Sequence, residues 1–211
     1  MIELHCFAES GNAYKAALPL ELSGLDWRPV RVDFFAGEAR SAEFRALNPM
    51  GEVPVLVDGG TVISQSGAIQ DYVCESTGRF GGATPAERRE VLRWVLWDNS
   101  ALSGLAGTRR FLMNFLSPQK RPGAVIDWLG GRLAASYRVL EAHLSRRDWI
   151  VGDGPSNADF SCCGYLYYPE PFGFDRADWP AIDAWLDRIS ALDGWVHPYD
   201  LMPRAWPGAR A

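Results

Sequence analysis

Three short clusters hold the side chains best suited to chemistry. Ser10-Gly11-Asn12, followed by Lys15, places a hydroxyl, an amide and an amine in one turn. Val53-Pro54 opens a predicted strand, and Gln65-Ser66 opens a predicted helix. An X-Pro bond at a strand start is where a cis peptide is tolerated, and a cis proline turns the preceding residue's backbone outward. A peptide-like ligand then pairs with the Val53 N–H and C=O as an added strand; in the alternative, Pro54 only protects a strand edge. A helix start presents unsatisfied N–H groups and partial positive charge, so the Gln65 amide and the Ser66 hydroxyl suit a carboxylate. Ser64 or Ser66 also suits ordinary N-capping, which is compatible with binding, and Ser10 and Asn12 suit capping of the helix that follows them. The four cysteines (Cys6, Cys74, Cys162, Cys163) form no C-x-x-C and the three histidines (His5, His143, His197) are scattered, so no metal site is expected. Adjacent Cys162 and Cys163 do not meet bridge geometry, and the four are expected as buried thiols in a reducing compartment.

These clusters need elements to hold them. Alternation over residues 2–7 predicts a strand, the run Glu9 to Asn12 a turn, and residues 13–22 a helix stopped by Gly24 and kinked at Pro19. A strand over 29–35, a short helix over 41–47, a turn-rich Asn48-Pro49-Met50-Gly51-Glu52, a hairpin of 55–57 and 61–63 across Asp58-Gly59-Gly60, and a helix over 64–74 complete a βαβαββα order. No strand pattern follows residue 80. Thr84-Pro85 starts a helix, 124–144 is a long amphipathic helix, Ser156 with Asp159 is a helix-start capping box, and 181–192 is a further helix. Residues 103–123 read ambiguously. The expected division is an α/β domain over 1–78, a linker over 79–84 and an all-helical domain over 85–211.

Composition narrows the classes. The 211 residues are 47% hydrophobic and 22% charged, a globular balance, long enough to bury a core without disulfides or a structural metal. Net charge is −5, with 5 basic and 11 acidic side chains in residues 1–78 and 16 and 15 in the remainder. An acidic chain with no basic stripe does not suit nucleic acid. No apolar run reaches the roughly 20 residues of a membrane span, and Met1-Ile2-Glu3-Leu4-His5 has no leader pattern. A cytoplasmic protein without membrane partner is expected.

Asn48-Pro49-Met50-Gly51-Glu52-Val53-Pro54-Val55-Leu56, a hairpin, then Gln65-Ser66-Gly67-Ala68-Ile69-Gln70-Asp71-Tyr72 resembles the thioredoxin-like N-terminal domain of cytosolic glutathione S-transferases. Trp149-Ile150-Val151-Gly152-Asp153 with Ser156-Asn157-Ala158-Asp159-Phe160 resembles the capping-box segment of that family's helical domain. The resemblance spans essentially the whole chain. It implies a thioredoxin-like domain followed by an all-α bundle. It also implies glutathione as substrate or cosubstrate, lying along Val53 and Pro54 with its γ-glutamyl end at Gln65 and Ser66. The thiol-activating residue lies in the first turn in this family, which points to Ser10, with Asn12 the second candidate. Hydrogen-bond donation to the sulfur and a nearby helix N-terminus both favour thiolate.

The implied activity is attack of that thiolate on an electrophilic small molecule or a peroxide, in a detoxifying transferase that is a homodimer. Trp97, Phe111 and Phe115 are the candidate lining of an apolar cosubstrate pocket, and Trp206 also bears on the second substrate. Position 10 is not cysteine, which argues against chemistry that needs a nucleophilic Cys. The pattern departs from the family at Glu52, where many relatives carry Lys or Gln; Arg109 or Arg110 is a candidate to offset this charge. The alternative is a non-catalytic member of the same fold that binds a protein partner. An isomerase or dehalogenase using glutathione would share the thiolate site.

Overall fold

A computed structural model describes residues 1–206. These form two compact units: residues 1–81 together with 192–206, and residues 82–191. The return of the last segment to the first unit is not visible in the local pattern of residues 85–211, which reads as helical domain throughout.

The first unit is built on a four-stranded mixed sheet of order β2-β1-β3-β4, with β1 Ile2–Cys6, β2 Trp27–Arg31, β3 Val55–Asp58 and β4 Thr61–Ser64. β1 runs parallel to β2 (Leu4 beside Pro29) and antiparallel to β3 (Leu4 opposite Leu56). β3 pairs antiparallel with β4, with Leu56 opposite Ile63. Pro29 lacks a ladder donor and is tolerated because β2 is an edge. β2 ends at Arg31 rather than reaching residue 35. The Asp33 carboxylate accepts from the Ala36 N–H at 3.3 Å, closing a 3₁₀ turn that Gly37 ends in the left-handed region at φ 89°. Local side-chain capping outcompetes extension there.

Helices α1 Gly11–Leu22, α2 Ala42–Leu47 and α3 Ser66–Thr77 complete the unit, with α1 and α3 packed together. Leu4, Leu56, Leu18, Ile69 and Val73 are buried. Pro19 sits inside α1 and has no N–H for the Lys15 carbonyl. The buried Gln70 of α3 supplies the missing donor, its Nε2 lying 3.1 Å from the Lys15 oxygen. A polar side chain thus mends a backbone defect in the neighbouring helix.

The second unit is helical: α4 Pro85–Trp97, α5 Ser103–Asn114, α6 Gly123–Leu144, α7 Asn157–Cys163 and α8 Pro180–Ser190. A π-helical turn, Asp98–Leu102, joins α4 to α5. The Asp98 carboxylate is fully buried and accepts from the Ser103 and Ser161 hydroxyls, the latter at 2.8 Å. The helix that Ser156 starts ends at Cys163. Both expected helix starts form capping boxes, Thr84 with Glu87 and Ser156 with Asp159. A last short helix, α9 Pro198–Leu201, belongs to the first unit. Among the described residues no helix is long and apolar enough to cross a membrane, and no cluster of three metal-ligating side chains occurs.

Candidate functional site

Strand register brings the three clusters to one end of the sheet. His5, next to last in β1, lies opposite Val55, the first residue of β3. Val55 in turn lies opposite Ser64, the last residue of β4. The turn after β1, the residues before β3 and the residues after β4 therefore emerge together. Ser10 and Asn12, Val53 and Pro54, and Gln65 and Ser66 occupy those three connections.

The Val53–Pro54 peptide is cis. Pairing of β3 with its neighbours begins only at Val55, so Val53 stands outside the ladder. The approach to Val53 is organised by Asn48, a buried residue whose role the turn-rich composition did not single out. Its Nδ2 donates to the Glu52 carbonyl at 2.8 Å and its Oδ1 accepts from the Met50 N–H at 3.2 Å. An Asn opening a Pro/Gly-rich turn is the available signal, because its short amide can substitute for backbone partners.

Gln65 is the N-cap of α3 and has φ 73°, ψ 120°, an uncommon conformation for a non-glycine residue. Ser64 belongs to β4 and Ser66 is the first helical residue, so neither caps α3 as predicted. No side chain caps this helix, and no acidic residue lies in its first turn. The first N–H groups of α3 and the largely buried Ser66 thus meet at a helix start with affinity for an anion.

Ser10 is the N-cap of α1; its hydroxyl oxygen accepts from the Ala13 N–H at 3.2 Å. That bond uses a lone pair and leaves the O–H to donate elsewhere. Asn12 is half-buried in the first turn of the same helix. Ser10 is also fixed from behind by its own N–H to the Phe7 carbonyl at 3.1 Å.

Known proteins share this fold. The family model for the glutathione S-transferase N-terminal domain matches residues 2–75, and that for the C-terminal domain matches residues 110–193. The disulfide-bond oxidoreductase YfcG of Escherichia coli K12 is 33% identical over 196 residues, 90% of each chain. The crystal structure of a glutathione S-transferase from Xanthobacter autotrophicus Py2 superposes with a TM-score of 0.87 at 34% identity, over 95% of this chain and 98% of that one. A glutathione transferase homologue from Lodderomyces elongisporus, solved with two glutathione molecules per subunit, superposes with a TM-score of 0.85 at 25% identity, over 96% and 99%. The chain belongs to the glutathione S-transferase family.

Within this glutathione S-transferase fold, Glu52 is exposed and does not stand alone. Gln65 Nε2 lies 3.5 Å from its carboxylate and 3.3 Å from the Met50 sulfur. The amide therefore stands beside the charge that departs from the family pattern. Arg109 and Arg110, the candidates to offset this charge, are both engaged inside the helical unit. Arg109 donates to the Ile126 carbonyl at 3.0 Å and to the Phe172 carbonyl. Arg110 is buried, pairs with Glu170 at 2.8 Å and lies 4.0 Å over the Tyr168 ring. Of the candidate cosubstrate residues, Phe111 and Phe115 come together with ring centroids 6.0 Å apart, and Trp97 packs edge-on against Trp94 at 5.1 Å.

None of the four cysteines is in a disulfide. Burial in β1 pushes the Cys6 thiol up to about 12, the opposite of what a nucleophile needs. Cys162 and Cys163 are buried, whereas Cys74 is only half-buried.

Proposed function

We propose that this protein is a glutathione transferase that ionises the glutathione thiol and directs it at a small electrophile. The observation that carries this reading is the convergence, at one sheet end, of Val53, the uncapped start of α3 and the Ser10 hydroxyl. The peptide backbone of glutathione pairs with Val53, and its γ-glutamyl carboxylate takes the Ser66 hydroxyl and the free N–H groups of α3. Ser10 donates to the sulfur, with Asn12 the second donor in the same turn, and the α1 N-terminus adds partial positive charge. The thiolate then forms a carbon–sulfur bond as the leaving group departs with its electron pair. A peroxide or a small disulfide is the competing acceptor, the latter suggested by the name of the Escherichia coli relative. Trp97, Phe111 and Phe115 are the proposed apolar surface for the cosubstrate. We assign the protein a detoxifying role as a cytoplasmic homodimer, on family grounds.

The test is the ultraviolet difference band of bound thiolate, followed against pH. The wild-type band is expected to titrate below the free thiol's value of about 8.5. Ser10→Ala is expected to raise that midpoint by ~1–2; an unmoved midpoint transfers the role to Asn12. Absence of any band at saturating glutathione overturns the transferase reading. It would favour the second reading, a non-catalytic member that binds a protein partner, for which the exposed Glu52 and the acidic first unit speak.

A further inference from the structure

Glu9 immediately precedes Ser10 and is buried, its side chain only 1% exposed. A carboxylate rarely enters a protein interior without compensation. Here the compensation comes from far along the sequence. Glu9 Oε1 accepts from Arg204 Nε at 2.8 Å and from the Trp206 N–H at 3.3 Å, and Oε2 accepts from the Ala205 N–H at 3.0 Å. The neighbouring Ala8 N–H donates to the Pro203 carbonyl at 2.8 Å. Arg31 Nε, at the end of β2, reaches the Arg204 carbonyl at 3.0 Å. The Arg204 guanidinium lies 3.6 Å over the Tyr199 ring, and Trp206 packs on Phe35 with centroids 4.7 Å apart. Four consecutive residues, 203–206, thus form a strap tied to the turn that holds Ser10 by backbone hydrogen bonds and by charge.

We propose that Arg204, acting through Glu9, is a positioning residue for thiol activation: the strap fixes the turn that presents Ser10 and covers the negative charge beside it. Two effects follow and they have the same sign. Without Arg204 the strap is less firmly held, so the Ser10 donor is less well placed. The Glu9 charge also stands uncovered next to a site meant for an anion. Both disfavour thiolate. The signal in the sequence is a Glu where only capping residues are needed, together with an Arg near the C-terminus, which no spacing rule connects.

The inference rests on the glutathione reading above, and one experiment separates the two. The midpoint of the bound-thiolate band is measured in wild type, Arg204→Ala, Arg204→Lys, Glu9→Gln and the Glu9→Gln/Arg204→Ala double variant. Hydrogen exchange is followed at the Ala205 and Trp206 amides. Arg204→Ala is expected to raise the midpoint by about 1 and to accelerate exchange at both amides. Arg204→Lys restores most of the midpoint, because it keeps a cation over the carboxylate. In the Glu9→Gln background, removing Arg204 moves the midpoint by less than half as much, as coupled partners require. A variant that loses stability but keeps the wild-type midpoint overturns the positioning role alone. A wild type with no thiolate band overturns the glutathione reading, and the positioning role with it.

Discussion

Two helix starts solve the same electrostatic problem in opposite ways. At α7 the protein supplies its own acid. The Asp159 carboxyl accepts from the Ser156 N–H at 2.9 Å, the Ser156 hydroxyl at 2.8 Å, the Ile150 N–H at 2.9 Å and Trp185 Nε1 at 2.9 Å. At α3 the N-cap is Gln65, which makes no side-chain capping bond and takes a positive φ, and the first turn contains no acid. One N-terminus is closed by the chain itself; the other keeps its donors for something that arrives. A helix N-terminus therefore becomes a binding site by omission of its usual partner as much as by the addition of a donor.

The largest effect that would break this contrast lies at α7. Asp159→Ala removes the acceptor of two backbone N–H groups and an indole N–H and is expected to cost on the order of 4 kcal/mol, read as a lower denaturant midpoint. Burial raises the Asp159 carboxyl above its ordinary value, desolvation outweighing its donors. The folded state therefore holds that proton more tightly than the unfolded chain. Its contribution is full at pH below the unfolded carboxyl value and is lost as pH rises through the folded one. Asp159→Asn should flatten that slope. If instead Asp159→Ala unfolds at the wild-type midpoint, α7 is not held by its own acid and the comparison fails.

The corresponding change at α3 should separate binding from stability. Ser66→Ala removes a hydroxyl from the anion site but no cap, since Gln65 occupies the cap position. Glutathione affinity is expected to fall roughly tenfold, equivalent to about 1.4 kcal/mol. The denaturant midpoint should change by no more than about 0.5 kcal/mol equivalent. Equal losses in both would make Ser66 a structural residue like Ser156.

How much of this was legible in the sequence follows the range of the interactions. The Val53–Pro54 turn, the hairpin, the Thr84 cap and the Ser156 box are written in nearby residues, and the structure carries them where they were expected. The end of β2, the Gln65 cap and the repair of Pro19 by Gln70 were not legible. Each depends on a partner that sequence spacing does not specify: the Asp33 carboxylate competing with the strand, β4 running one residue further, or a side chain from another helix. The Glu9 clamp lies further still, its two halves 195 positions apart. Arg109 and Arg110 make the same point in reverse, since adjacency to a candidate pocket in sequence gave no sign that carbonyls and Glu170 already hold them.

The smallest effect sharpens the contrast most. Gln65 is held at φ 73°, ψ 120° without a capping bond to justify it. Side chains with a Cβ resist that conformation, and a residue so placed costs on the order of 1 kcal/mol that packing elsewhere must offset. Glycine tolerates it better. Gln65→Gly is therefore expected to raise the thermal midpoint slightly, by about 1 °C, since about 1 kcal/mol of relieved strain is offset in large part by the entropy glycine loses on folding. The same variant removes the amide that stands 3.5 Å from Glu52. Glutathione affinity should fall, and by more at low salt, where the uncovered Glu52 charge is screened least. A gain in stability with a loss of binding marks strain kept for a ligand. A loss in both would place Gln65 with Asp159, as one more residue that closes its own helix.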